Sequence, residues 1–119
     1  MRRKRRELFE ACGKIGFGDQ EVVQNIEPDF LDKFGLALAL RLAAAHPGER
    51  MQQALLYASW NQTHCSQDFA RLLLQLKGIT PAPEDEAGAA MLEGLGFHTS
   101  YFTRKAAFDE LCRRTGMTL

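Results

Sequence analysis

The sequence predicts an all-α chain: one small, irregular helical bundle of about five helices, with a central αα-hairpin and a candidate C-terminal helix-turn-helix. Three observations carry that expectation. Apolar residues recur at three- and four-residue spacing along most of the chain. The breaks between these runs are short and marked by glycine and proline. The 119 residues, 45% hydrophobic and 25% charged, match ordinary globular usage and suffice for one modest core. Residues 1–6 form a basic arm and residues 7–119 a single helical domain.

Taken in order, Leu8, Phe9 and Cys12 have helical spacing, and Gly13, Gly16 and Gly18 then loosen the backbone. Residues 19–26, with Val22, Val23 and Ile26, fit a helical turn or a strand equally well. Pro28 suits a first helical position, and Asp29 and Asp32 complement the dipole of a helix over about residues 28–45. Phe30, Phe34, Ala37 and Arg41 share one side of it; Leu31, Leu38 and Leu42 share another. Residues 36–40 also alternate in bulk as a half-buried strand would, but length and Ala/Leu propensity favour the helix.

His46-Pro47-Gly48 ends that helix, and Met51, Ala54, Leu55 and Ala58 resume the period, which describes two antiparallel helices joined by a tight turn. After a polar break at 61–64, Ser66 is placed as the N-cap of a helix with Phe69, Leu72, Leu73 and Leu76 as its apolar stripe and Gly78 as a left-handed C-cap. Thr80-Pro81-Ala82-Pro83 cannot continue it. Glu84-Asp85-Glu86 starts the next helix, which runs to about Glu93 and is closed by Gly94 and Gly96. Thr99 or Ser100 caps a last helix, with Tyr101, Phe102, Phe108, Leu111 and Cys112 expected inward.

The formal net charge of zero conceals three blocks. Arg2, Arg3, Lys4, Arg5 and Arg6 give +5; residues 7–97 carry −7; residues 98–119 return +2. Basic ends around an acidic middle point to an anionic partner or to self-association, and equally to a solvated arm. Three widely spaced cysteines, Cys12, Cys65 and Cys112, argue against a disulfide scaffold. The basic N-terminus is followed by no apolar run of signal length, and Glu7 and Glu10 sit badly in a presequence. The apolar stretch near 34–45 is broken by Arg41 and falls short of the roughly 18 residues a membrane span needs. A cytoplasmic protein that enters no membrane is therefore expected, and the Asn61-Gln62-Thr63 sequon has no consequence there.

For chemistry, His64 and Cys65 are neighbours, but adjacent helical residues point about 100° apart, and a structural cysteine explains the pair. His46, His64 and His98 are too far apart for a zinc pattern. No phosphate-binding glycine loop occurs, and Gly16-Phe17-Gly18 lacks the rest of one. Glu84, Asp85 and Glu86 could meet a cation, though a helix start accounts for them. No enzyme activity, cofactor, metal or small-molecule substrate is expected.

Two binding classes remain. Residues 86–116 have the outline of a helix-turn-helix, with Ala90 and Gly94 allowing a close crossing. Its second helix would offer Thr99, Ser100, Tyr101, Thr103, Arg104 and Lys105 to nucleic acid, with Arg2, Arg3, Lys4, Arg5 and Arg6 tracking phosphates. In a eukaryotic cell that run could also be a nuclear address, and otherwise a solubilising tail. Gly96-Phe97, Ser100-Tyr101-Phe102, Arg104 and Thr115-Gly116-Met117-Thr118 resemble fragments of the second helix-turn-helix of AraC-type regulators. The resemblance covers under a quarter of the chain. One residue is missing before Ser100 and several are extra before Gly116, and such shifts rotate a helix face, so no residue role is carried over. The second class is a protein-binding adaptor, antiactivator or chaperone, with Met51, Tyr57, Trp60 and Phe69 lining an aromatic groove; core packing is the other use of such residues. Residues 54–81 also have the outline of one helical-repeat hairpin, without a second copy. A small regulatory protein acting as a homodimer and binding nucleic acid is the resulting expectation, because both basic segments lie outside an acidic middle, with the protein-binding adaptor as the alternative.

Overall fold

Six helices follow one another in the computed structural model, which describes residues 30–80 and 85–119. They are α1 (Phe30–Phe34), α2 (Leu36–Ala45), α3 (Glu49–Trp60), α4 (Ser66–Leu76), α5 (Glu86–Gly94) and α6 (Tyr101–Thr115). No strand occurs among the described residues, and none of their helices is long and apolar enough to cross a membrane. The expectations for the arm at 2–6, for residues 7–29 and for residues 81–84 lie outside the described residues.

The single helix expected over 28–45 is two. Gly35 adopts φ 87° and ψ −178°, a region essentially reserved for glycine. Hydrogen bonding continues across the corner: the Gly35 N–H donates to the Leu31 carbonyl at 2.6 Å, and the Gly35 carbonyl accepts from Ala39 N–H at 3.3 Å. The chain therefore turns without abandoning backbone groups. Beyond the corner Leu38, Ala39, Leu42 and Ala43 are buried and Leu40 is exposed, a helical and not a strand-like pattern.

The main hairpin of the bundle has α3 and α4 as its arms, and α5 with α6 is the second major pairing. His46-Pro47-Gly48 separates α2 from α3, but α2 packs on α1 and α4 as well as on α3. The expected central hairpin thus lies one helix further along. Buried alanines on both arms, Ala54, Ala58 and Ala70, favour close approach of α3 and α4. Met51, Leu55, Leu56, Phe69, Leu73 and Leu74 fill the core between and around them.

The break at 61–65 is a true loop, and Ser66 does not cap α4 as expected. Cys65 holds the cap position without a side-chain bond, and Ser66 is the first helical residue. Its hydroxyl donates to the Asn61 carbonyl and accepts from Thr63 N–H, closing the loop on itself. Asn61 Nδ2 also donates to Asp32, tying the loop to α1. At the far end of α4, Gly78 is left-handed at φ 73°, with Ile79 N–H returning to the Leu74 carbonyl at 2.9 Å.

α5 begins at Asp85, whose Oδ1 accepts from Gly88 N–H at 2.7 Å. α6 begins at Ser100, whose Oγ accepts from Thr103 N–H at 3.2 Å, and ends at left-handed Gly116. Where the two helices cross, Gly94 faces Ala107; a Cβ on Gly94 would lie 2.7 Å from the Ala107 Cβ and 3.3 Å from the Thr103 carbonyl oxygen. Ala90, expected to serve this crossing, is exposed. Tyr101 and Phe102, expected inward, are 55% and 83% exposed. Phe108, Leu111 and Thr115 set the buried side of α6. The helix start overhangs the bundle, so Tyr101 reaches only its edge, and Phe102 is rotated a further 100° or so away.

Two substitutions test these backbone constraints by urea unfolding. Gly94→Val forces α5 and α6 apart and should lower stability by about 1–3 kcal/mol, the usual effect of overpacking. Gly35→Ala places a side chain in a glycine-only conformation and should lower it by a similar ~1–3 kcal/mol.

Candidate interaction surface

The end of α5, the turn after it and the start of α6 are fastened by three side chains. The Thr99 hydroxyl donates to the carbonyls of Gly94 and Gly96, at 2.8 and 2.9 Å, which closes the turn between α5 and α6. Gln62 Nε2, from the α3–α4 loop, donates to the Phe97 carbonyl at 2.6 Å and the Thr99 carbonyl at 3.1 Å. Gln67 Nε2, from α4, donates to the Leu92 carbonyl at 2.6 Å. Side-chain amides thus satisfy carbonyls that a helix end and a turn would otherwise leave to water.

On this frame sits a run of aromatic contacts. Half-buried Trp60, at the end of α3, packs against Phe108 with ring centroids 5.1 Å apart and meets the edge of Tyr101 at 6.0 Å. Tyr101 in turn lies 5.6 Å from Phe102. The Arg104 guanidinium carbon stands 4.9 Å from the Trp60 ring centroid, a cation–π geometry. On the other side of the turn His64 stacks on Phe97 at 4.1 Å, and Phe97 meets His98 at 4.6 Å. The row runs from rings held inside the bundle to Phe102, the most exposed large apolar side chain among the described residues.

Beside it lies an open groove of about 470 Å³ between α5 and α6, lined by Ala87, Ala90, Met91, Thr103, Ala106 and Ala107 with Glu110 at one end. A second groove of about 670 Å³, between the start of α3 and the C-terminal residues 116–118, is more polar and contains Glu49, Arg50 and Lys77.

The charges of α6 are largely engaged. Lys105 Nζ bonds both Asp109 oxygens at 2.7 and 2.8 Å, and Arg113 grips Glu110 through three bonds of 2.7 to 3.0 Å. Arg114 reaches Asp85, at the start of α5, at 2.5 and 3.1 Å. The Arg114 guanidinium and the Gly88 N–H hold the Asp85 carboxyl well below its usual value, at about 2. Lys105 is pushed up by its bond to Asp109, and the half-buried Cys112 thiol is raised by desolvation.

The residues expected to meet nucleic acid therefore have local roles as well. Thr99 closes the turn, Ser100 caps α6, and the Thr103 hydroxyl bonds Ser100 Oγ at 2.9 Å. Arg104 lies on Trp60, Lys105 is ion-paired, and Tyr101 joins the aromatic row. Of the residues expected to line an aromatic groove, Met51 and Phe69 are fully buried in the core, and that part of the expectation is corrected. They lie on the sides of α3 and α4 that face each other's layer, where helical spacing alone does not separate core from groove. Tyr57 and Trp60 are half-buried. Among the described residues no three His, Cys, Asp or Glu side chains are grouped to hold a metal ion. Phe102 and Phe97 were not anticipated as surface features, although consecutive aromatics at 101–102, about 100° apart on a helix, cannot share one buried face.

Ser100→Ala removes the α6 cap and should reduce stability by about 1 kcal/mol, read from the urea midpoint. Because the folded pKa of Asp85 is depressed, its ion pair contributes fully above its ordinary value of 3.8 and is lost as pH falls through about 2. Asp85→Asn keeps a cap oxygen but no charge, and should flatten stability against pH across that window. Comparison of the chain with family models, with curated proteins and with solved structures finds no match.

Proposed function

We propose that the chain is a non-enzymatic protein-binding module, of the adaptor, antiactivator or chaperone kind, whose contact surface is the start of α6. The observation that carries this reading is the exposure of Phe102 at 83% and Tyr101 at 55% on a helix start fastened by Thr99 and Gln62. Covering a Phe side chain is worth about 1.5–3 kcal/mol, so a rigidly held exposed one is an anchor available to a partner. Tyr, Trp and Arg are the residues that concentrate binding energy in interfaces; Tyr101 lies against Phe102, Trp60 against Tyr101, and Arg104 on Trp60. Being already ordered, they lose little entropy on contact.

The reading as a nucleic-acid-binding regulator has its own support, the close-packed pair α5 and α6 with a short turn, together with the basic run Arg2, Arg3, Lys4, Arg5 and Arg6. It is less favoured, because a phosphate approaching Lys105 or Arg113 must displace Asp109 or Glu110. A homodimer and a cytoplasmic setting are compatible with either.

A photo-crosslinking residue at position 102, compared with one at exposed Arg71 on α4, tests the reading in extracts of the cells that make the protein. A discrete protein adduct formed at 102 and not at 71, and lost when Trp60→Ala is added, is the expected result. Salt-sensitive binding to a duplex DNA pool, weakened both by deletion of residues 2–6 and by Arg104→Ala, with no protein adduct at 102, would instead establish the regulator.

A further inference from the structure

Arg104 differs from every other cation on α6. Lys105 pairs with Asp109, Arg113 with Glu110 and Arg114 with Asp85, whereas Arg104 pairs with no carboxylate among the described residues. Its guanidinium carbon stands on Trp60 instead, 4.9 Å from the ring centroid. A ring stabilises the charge but offers no lone pair, so the five N–H donors of that guanidinium are left without an acceptor among the described residues. Nε is shut off from solvent, and an unbonded donor on a charged group is costly to bury. The two terminal nitrogens keep access to solvent at the end of a half-buried side chain. Tyr101, one turn earlier on the same side of α6, meets the edge of Trp60, is exposed, and makes no hydrogen bond through its hydroxyl to a described residue. Trp60, Tyr101 and Arg104 therefore form one contiguous patch with unmet donors. We propose that this patch receives a carboxylate of the partner, an Asp or Glu side chain of a protein segment, gripped by the terminal nitrogens of Arg104; the inference rests on the protein-binding reading and names the partner's chemistry.

The chemistry of the patch selects a carboxylate. One guanidinium and one carboxylate match in charge and in the spacing of two parallel N–H···O bonds. A phosphate, with a charge near −2, calls for a second cation, and Lys105 is already committed to both oxygens of Asp109. Contact with Trp60 fixes the guanidinium beforehand, so little rotamer freedom is lost when the acid arrives. Around α6, Tyr101 lies between the other two exposed groups, about 60° from Arg104 and about 100° from Phe102. A segment crossing the helix start therefore places its acid on Arg104 and an apolar side chain on Phe102, and the charge pair sets its direction.

A phage-displayed library of random short peptides, selected on the full-length protein, supplies the probe, and binding of the synthesised peptides is followed through Trp60, the chain's single tryptophan. Selected peptides should share an Asp or Glu, and exchanging that acid for its amide should weaken binding to the wild-type protein at least about tenfold. Arg104→Gln should weaken the acidic peptide as much, and Arg104→Lys, which keeps the charge but not the fork, by less. The amide peptide should bind wild type and Arg104→Gln equally, because both changes remove one and the same contact. Peptides that bind with no acid in common, or that keep their affinity after the acid-to-amide exchange, overturn the carboxylate assignment and leave the protein-binding reading standing. A phosphoserine peptide that binds more tightly than its Asp or Glu counterpart overturns it in favour of a phosphate. A library that yields no binder also overturns it, and the protein-binding reading then stands or falls on the adduct at position 102.

Discussion

The close crossing of α5 and α6, where Gly94 lies against Ala107, is the constraint from which the rest of the surface follows. A helix has only one rotation that puts Ala107 under a neighbouring glycine, and that rotation also brings Phe108 and Leu111 inward. With those positions set, Arg104 falls against Trp60, Tyr101 reaches only the rim, and Phe102 is left in solvent. The alanines at 87, 90, 106 and 107 have the same consequence from the other side, since short side chains beside a close crossing leave a shallow groove.

Polar interactions hold that arrangement in place. The turn between the two helices is secured by Thr99 from within and by Gln62 from the α3–α4 loop, while Gln67 of α4 holds the last turn of α5. Arg114 links the last turn of α6 to the capping carboxylate of α5, so one contact serves an N-terminus and a C-terminus together. These side chains leave the backbone beneath the aromatic row little freedom to reorganise, which under the proposed protein-binding reading lowers the entropy lost on contact.

The local rules of the chain were legible wherever one residue type has one physical use. The acidic start of α5, a cap for α6 at Thr99 or Ser100, Gly78 as a left-handed terminator and the apolar stripes of α3 and α4 all follow from spacing and side-chain chemistry, and the structure makes Asp85 and Ser100 the caps. Ser66 misled because a serine at a helix start can cap the helix or close the preceding loop, and the Asn61 carbonyl within reach decided for the loop. Gly35 misled because glycine within an Ala/Leu run is tolerated in a helix, and the break declares itself only where packing demands the turn.

The sequence by itself determined that the chain is helical and, apart from the break at Gly35, where its described helices start and stop to within a few residues. Those properties depend on neighbours within a turn or two, which the sequence contains. Which helices pair, and which face of each is covered, was decided only in three dimensions. Met51 and Phe69 became core and Phe102 became surface because burial depends on residues more than twenty positions away. Helical period fixes the angle between side chains but not the direction in which the helix as a whole is turned.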